Sequence, residues 1–147
     1  MRAGSHNTEA IISLAEALKR KLAANSYPAW QKVTGGFASL LKTAISKIAG
    51  AKIIAEDAPR APGTLLLLLP QVPIDFLIMA LDREGITVST GTSCKSRSRS
   101  PSQALFAMGY SEAEALSVIR LSFDQNLTAA DMARTADVLQ QSLARLK

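Results

Sequence analysis

Cys94 is the single cysteine of the sequence. It stands in the run TGTSCKSRSRSP over residues 90–101, closely followed by Lys95, Arg97 and Arg99. The thiolate is the nucleophilic form of cysteine, and neighbouring cations favour it. Salt screening weakens such a field in a solvated loop. The second residue with chemistry to offer is Arg120. Residues 118–123 alternate, with Ile119, Leu121 and Phe123 on one side and Val118, Arg120 and Ser122 on the other. A guanidinium on the polar side is a planar, permanently charged fork of donors. Ser5, just ahead of a helical pattern, offers a hydroxyl to a helix cap. Each has an ordinary alternative: a lone cysteine is usually inert, and a strand arginine is usually a solvated charge. His6 reads as solvated. One histidine and one cysteine cannot build a His/Cys zinc site, so no metal site is expected.

The elements that must position these residues follow from periodicity. Ile11, Leu14, Leu18 and Leu22 recur at helical spacing and predict an amphipathic helix over residues 8–24, capped by Asn7 or Thr8. A second helix carries Phe37, Leu40, Leu41, Ala44, Ile45 and Ile48 on one face and ends toward Gly50. A short β-like piece is expected at 52–55 and a buried strand at 64–69. A third helix with Ile74, Leu77, Ile78 and Leu81 then runs to Gly85. The β-branched run at 86–89 predicts a strand leading into the cysteine segment. A short helix after Pro101 and a turn at Gly109 come next. Ser111 with Glu114, and Thr128 with Asp131, have the spacing of capping boxes. The last helix faces inward with Met132, Ala136, Leu139 and Leu143. The fold class expected is α/β, as a two-layer α+β sandwich of helices over one mixed sheet. The sheet is small for its helices, so its second face is expected to need cover from another domain or subunit.

With 147 residues, 48% hydrophobic and 20% charged, the chain suits one globular domain over residues 1–147. A single cysteine excludes an internal disulfide, and no apolar run approaches the length of a membrane span. A soluble, cytoplasmic protein without membrane association is expected. The net charge of +5 admits an acidic partner or nucleic acid. Yet only 5% of residues are aromatic and the Arg-Ser repeat is short, so nucleic acid is not the expected partner.

The ordered set of motifs resembles the cysteine desulfurases of the NifS/IscS type, pyridoxal-phosphate enzymes of the aminotransferase class V family. ITVSTGTSCKS, residues 86–96, is similar to the strand and loop that carry the family's active cysteine. Asp82, Gly85 and Ile86 resemble the L-D-x-x-G-I lead into that strand, and PGTL at 62–65 resembles the P-N-T-L start of an earlier one. IRLSF at 119–123 looks like the I-R-[FIL]-S block, and TAAD at 128–131 like the opening of the family's last helix. RAGSHN at 2–7 resembles R-[SA]-G-T-x-N. The resemblance implies the small C-terminal domain of fold-type I pyridoxal-phosphate transferases, with residues 90–101 as a mobile cysteine loop of the long-loop branch.

In that family Cys94 would take sulfur from L-cysteine as a persulfide, with release of alanine, for iron–sulfur cluster or other sulfur-compound synthesis. Arg120 would bind the substrate carboxylate. Ser5 stands where a Thr often reaches the cofactor phosphate in a neighbouring subunit of the homodimer. A sulfur-acceptor or iron–sulfur scaffold protein would be the partner. The family's S-x-H-K-x-x-G-P-K-G segment, with its Schiff-base lysine, does not occur in the sequence. Pyridoxal phosphate needs such a lysine and an acid at its ring nitrogen. The chain alone is therefore expected to bind no cofactor and to be inactive. The loop interior KSRSRS is more basic than the family's, and Asp124 stands where a Gly commonly follows. Two alternatives stay open: a non-catalytic domain with a structural or association role, and a basic interaction module.

Overall fold

A computed structural model describes residues 6–24, 26–90 and 101–146. Helix α1 (Thr8–Ala23) forms where the periodicity places it. The Asn7 side chain accepts from the Ala10 N–H at 3.1 Å, and Glu9 and Arg20 stand at the ends that favour their charges. No residue of α1 is buried: Leu14 is 71% exposed and Leu22 72%.

Helix α2 (Tyr27–Ile45) starts with Pro28, whose missing N–H costs nothing in a first turn. It buries Phe37, Leu41, Ala44 and Ile45 against the sheet and helix α6 (Ala129–Arg145). Helix α6 contributes Ala136, Leu139 and Leu143, and helix α3 (Ile74–Arg83) adds Ile74, Leu77 and Leu81. Burying each of these large aliphatic side chains is worth roughly 1.5–3 kcal/mol against leaving it in water. Arg134 of α6 donates to the Glu84 carbonyl at 2.6 Å, which fastens α6 to the end of α3.

The sheet contains β1 (Lys52–Ile53), β2 (Thr64–Leu68), β3 (Ser89–Thr90) and β4 (Val118–Ser122), in the order β1-β2-β4-β3. Every pairing among them is antiparallel, where a mixed sheet was expected. The reason is topological. Strands β2 and β3 run parallel to one another and are joined by α3, as a crossover requires. The late strand β4 inserts between them in the opposite direction, so no two neighbours are parallel. The strand expected at 86–89 is also shorter than its β-branched content predicted. Only Ser89 and Thr90 pair with β4, and residues 86–88 diverge to line a cleft of about 270 Å³ beside Leu121 and Phe123.

The two faces of the sheet differ. Leu65, Leu67, Ile119 and Leu121 point into the core under α2, α3 and α6. On the second face Ile54, Leu68 and Val118 pack with Leu105 of α4 (Gln103–Ala107) and Ala115 of α5 (Glu112–Leu116). The expectation that this face needs cover from elsewhere is thus corrected for one half of it: the short helices α4 and α5 supply that cover from within the chain.

Candidate functional site

The other half of the second face carries Arg120. Its strand reads VIRLS, and the burial of Ile119 and Leu121 turns Arg120 and Ser122 outward. Arg120 is exposed, and no acidic partner pairs with it among the described residues. Its cross-strand neighbours are Leu66 on β2 and Ser89 on β3. The next row of the same face holds the pair Thr64 and Ser122. A guanidinium therefore stands among hydroxyls, beside the apolar half closed by α4 and α5.

Local structure fixes that register at both ends of β4. At its start, α5 is held by a complete capping box. The Ser111 N–H donates to the Glu114 carboxylate at 2.9 Å, and the Ser111 oxygen accepts from the Glu114 N–H at 3.3 Å. The Ser111 N–H bond first, and then the bond its hydroxyl donates to the same carboxylate at 2.8 Å, hold the Glu114 carboxyl below the ordinary carboxylate range. At its end, the Phe123 N–H donates to the Gly63 carbonyl at 2.9 Å. The Phe123 ring meets Phe37 edge-on at 5.2 Å. Gly63 has φ +83, and a Cβ there would lie 2.3 Å from the Trp30 ring. Thr34 completes the joint by accepting from the Gly63 N–H at 3.1 Å.

Strand β3 is delivered by a glycine-ended helix. The Ile86 N–H bonds the Leu81 carbonyl at 2.9 Å, and the Gly85 N–H bonds Asp82 at the same distance, with Gly85 at φ +73. That is the Schellman geometry, and it aims the chain at the sheet edge. From Thr90 the sequence continues into the cysteine-bearing segment. Cys94, Lys95, Arg97, Arg99 and Ser5 lie outside the described residues.

The structure thus places one expected site residue, Arg120, on the face the alternation assigned to it. Sequence reasoning did not place Ser89 opposite Arg120, because that neighbour depends on β4 inserting beside β3. A cofactor seat for pyridoxal phosphate needs a lysine amine and a carboxylate facing one space. Two clefts among the described residues each lack one of the two groups. The cleft of about 420 Å³ between α2 and the 56–62 loop has Glu56 and Asp57 but no lysine. The cleft of about 410 Å³ at Lys47 has no carboxylate. Neither cleft fits the cofactor.

The aminotransferase class-V family model matches residues 1–134. The chain is 27% identical over 146 residues to a cysteine desulfurase of Rhodobacter capsulatus, covering 99% of this chain and 38% of that protein. It is 30% identical over 151 residues to the putative cysteine desulfurase IscS 1 of Bacillus subtilis (strain 168), again covering 99% and 38%. The chain therefore spans little more than a third of the length of these relatives. Among solved structures, a NifS-like protein matches with a TM-score of 0.73 and 25% identity, over 99% of this chain and 36% of that one. A NifS-like protein from Rickettsia africae ESF-5 shares the fold, with a TM-score of 0.63 and 24% identity over 99% and 36%. The expected α/β fold of the fold-type I class is the fold these proteins share with the chain.

Proposed function

The chain belongs to the class-V aminotransferase family, and from that premise we propose that it is the C-terminal, small-domain portion of a NifS/IscS-type cysteine desulfurase. Cys94 is the sulfur carrier: the sulfur of L-cysteine ends as a persulfide on Cys94, and the remainder leaves as alanine. Arg120 binds the substrate carboxylate through its guanidinium fork. The observation that carries this reading is the position of Arg120. It is an unpaired cation on the open half of the sheet face, in register with the strand whose sequence runs on to Cys94. Ser5 contributes a hydroxyl toward a cofactor phosphate across a homodimer, and the sulfur passes to an acceptor such as an iron–sulfur scaffold.

Held by other residues of an intact family enzyme, pyridoxal phosphate would supply an electron sink. The chain by itself is expected not to turn over, because its sequence lacks the family's lysine-bearing S-x-H-K-x-x-G-P-K-G segment. The exposed stripe of α1 supports a chain that works packed against further polypeptide.

Alanine release and persulfide on Cys94 are the readouts. The chain with L-cysteine and pyridoxal phosphate alone is expected to yield neither. With a cofactor-loaded lysine-bearing domain of a family enzyme added, both are expected to appear, and Cys94→Ala abolishes them. Turnover that survives Cys94→Ala and Arg120→Ala would overturn the reading.

A further inference from the structure

We infer that the Ser89 hydroxyl and the Arg120 guanidinium form one carboxylate-binding pair, with Ser89 as a second hydrogen-bond donor to the carboxylate of an α-amino acid. This rests on the reading of Arg120 as the carboxylate's place.

Ser89 and Arg120 are direct partners in the antiparallel β3–β4 ladder, so their side chains rise from the same face. Directly opposed Cβ atoms lie about 4.5–5.5 Å apart. The arginine reaches outward on a long arm, while the half-buried serine stays close to the floor of the sheet. Neither side chain has a hydrogen-bond or ion-pair partner among the described residues. A carboxylate can accept about four hydrogen bonds. A guanidinium fork uses two of those directions and leaves others open to a short donor beneath it.

The surroundings are asymmetric. Leu66, the neighbour of Arg120 on the β2 side, offers no donor, and Thr64 and Ser122 lie one row further along. The additional polar contact is therefore on the β3 side, toward the sequence that leads to Cys94. A carboxylate held at both Ser89 and Arg120 would be fixed in orientation as well as position, which a single flexible arginine does not achieve.

The test titrates the full chain with L-cysteine under reducing conditions, and with L-cysteinamide, which lacks the carboxylate. Binding is followed by NMR at the backbone amides of Leu66 and Ile119. The wild type is expected to show a saturable shift with L-cysteine and none with the amide. Ser89→Ala is expected to weaken L-cysteine binding roughly tenfold to a hundredfold, the loss of one hydrogen bond to a charged group. Ser89→Thr restores it, and neither substitution moves the unfolding midpoint. If Arg120→Ala abolishes binding while Ser89→Ala binds as the wild type does, the Ser89 inference is wrong and the Arg120 reading stands. If the wild type shows no saturable shift, or responds equally to acid and amide, the carboxylate reading of Arg120 is wrong and the pair goes with it.

Discussion

Helices α1 and α6 are alike in length and in amphipathic pattern. They have 16 and 17 residues, each is amphipathic, and each has a side-chain cap, from Asn7 and from Thr128. In its tertiary setting α6 buries Ala136, Leu139, Ser142 and Leu143, whereas α1 buries nothing. The more apolar of the two helices is thus the one left in water. An amphipathic pattern establishes that a face gains from being covered, but it carries no information about what covers it. Helix α6 follows β4 directly and lands on the core side of the sheet, where α2 and α3 already present apolar surface.

The sharpest way to break this contrast is truncation at matched positions. Leu139→Ala removes a side chain only 1% exposed and is expected to cost about 3–5 kcal/mol in urea unfolding. Leu18→Ala, at a position 56% exposed, is expected to stay within about 0.5 kcal/mol. Equal costs would mean that α1 is packed in solution. Next in size is the joint that follows α1. Gly63→Ala is expected to cost about 2–4 kcal/mol, since its Cβ meets the Trp30 ring and the Phe123 carbonyl at a left-handed φ.

The caps sharpen the comparison further. Thr128→Ala removes the acceptor of the Asp131 N–H and is expected to lower global stability by about 1 kcal/mol. Asn7→Ala removes the corresponding bond in α1. It is expected to reduce helical circular dichroism without shifting the cooperative urea midpoint, because α1 shares no core with the rest.

The smallest effect is the response of α6 to acid. Thr128 donates to the Asp131 carboxylate from its hydroxyl at 2.6 Å and from its N–H at 3.1 Å, which hold that carboxyl below the ordinary aspartate value. A carboxyl with a depressed folded-state pKa stabilises fully above its unfolded value. It loses that contribution as pH falls through the folded value. The unfolding midpoint is therefore expected to be level at neutral pH and to decline below about pH 4. Asp131→Asn should flatten that decline; an unchanged slope would remove Asp131 from the account.

Much of this was readable from residue types. Both capping boxes, the turns at Gly85 and Gly109, and the outward side of Arg120 follow from short-range rules in which residues three or four apart decide the outcome. What escaped was set by partners distant in sequence. The β-branched residues at 86–89 predicted a strand, but whether they pair depends on where β4 runs, and β4 reaches only Ser89 and Thr90. The antiparallel sheet was obscured in the same way, because sequence order says nothing of a late strand inserting between two earlier ones. The polar neighbourhood of Arg120 was hidden with it. Leu105 and Ala115 gave no sign that they would cover Leu68 and Val118 on the second face.

The insertion of β4 also bears on how the protein is made. Thr64 finds its partner in Ser122, and Ser89 in Arg120, so β2 and β3 have no neighbour between them until β4 has been synthesised. On the ribosome, the facing backbone edges of β2 and β3 would wait unpaired for β4, and such long-range pairing is slow. Newly made chains therefore carry an aggregation hazard in the interval before β4 emerges, and a chaperone that shields an unpaired strand edge would act in that interval.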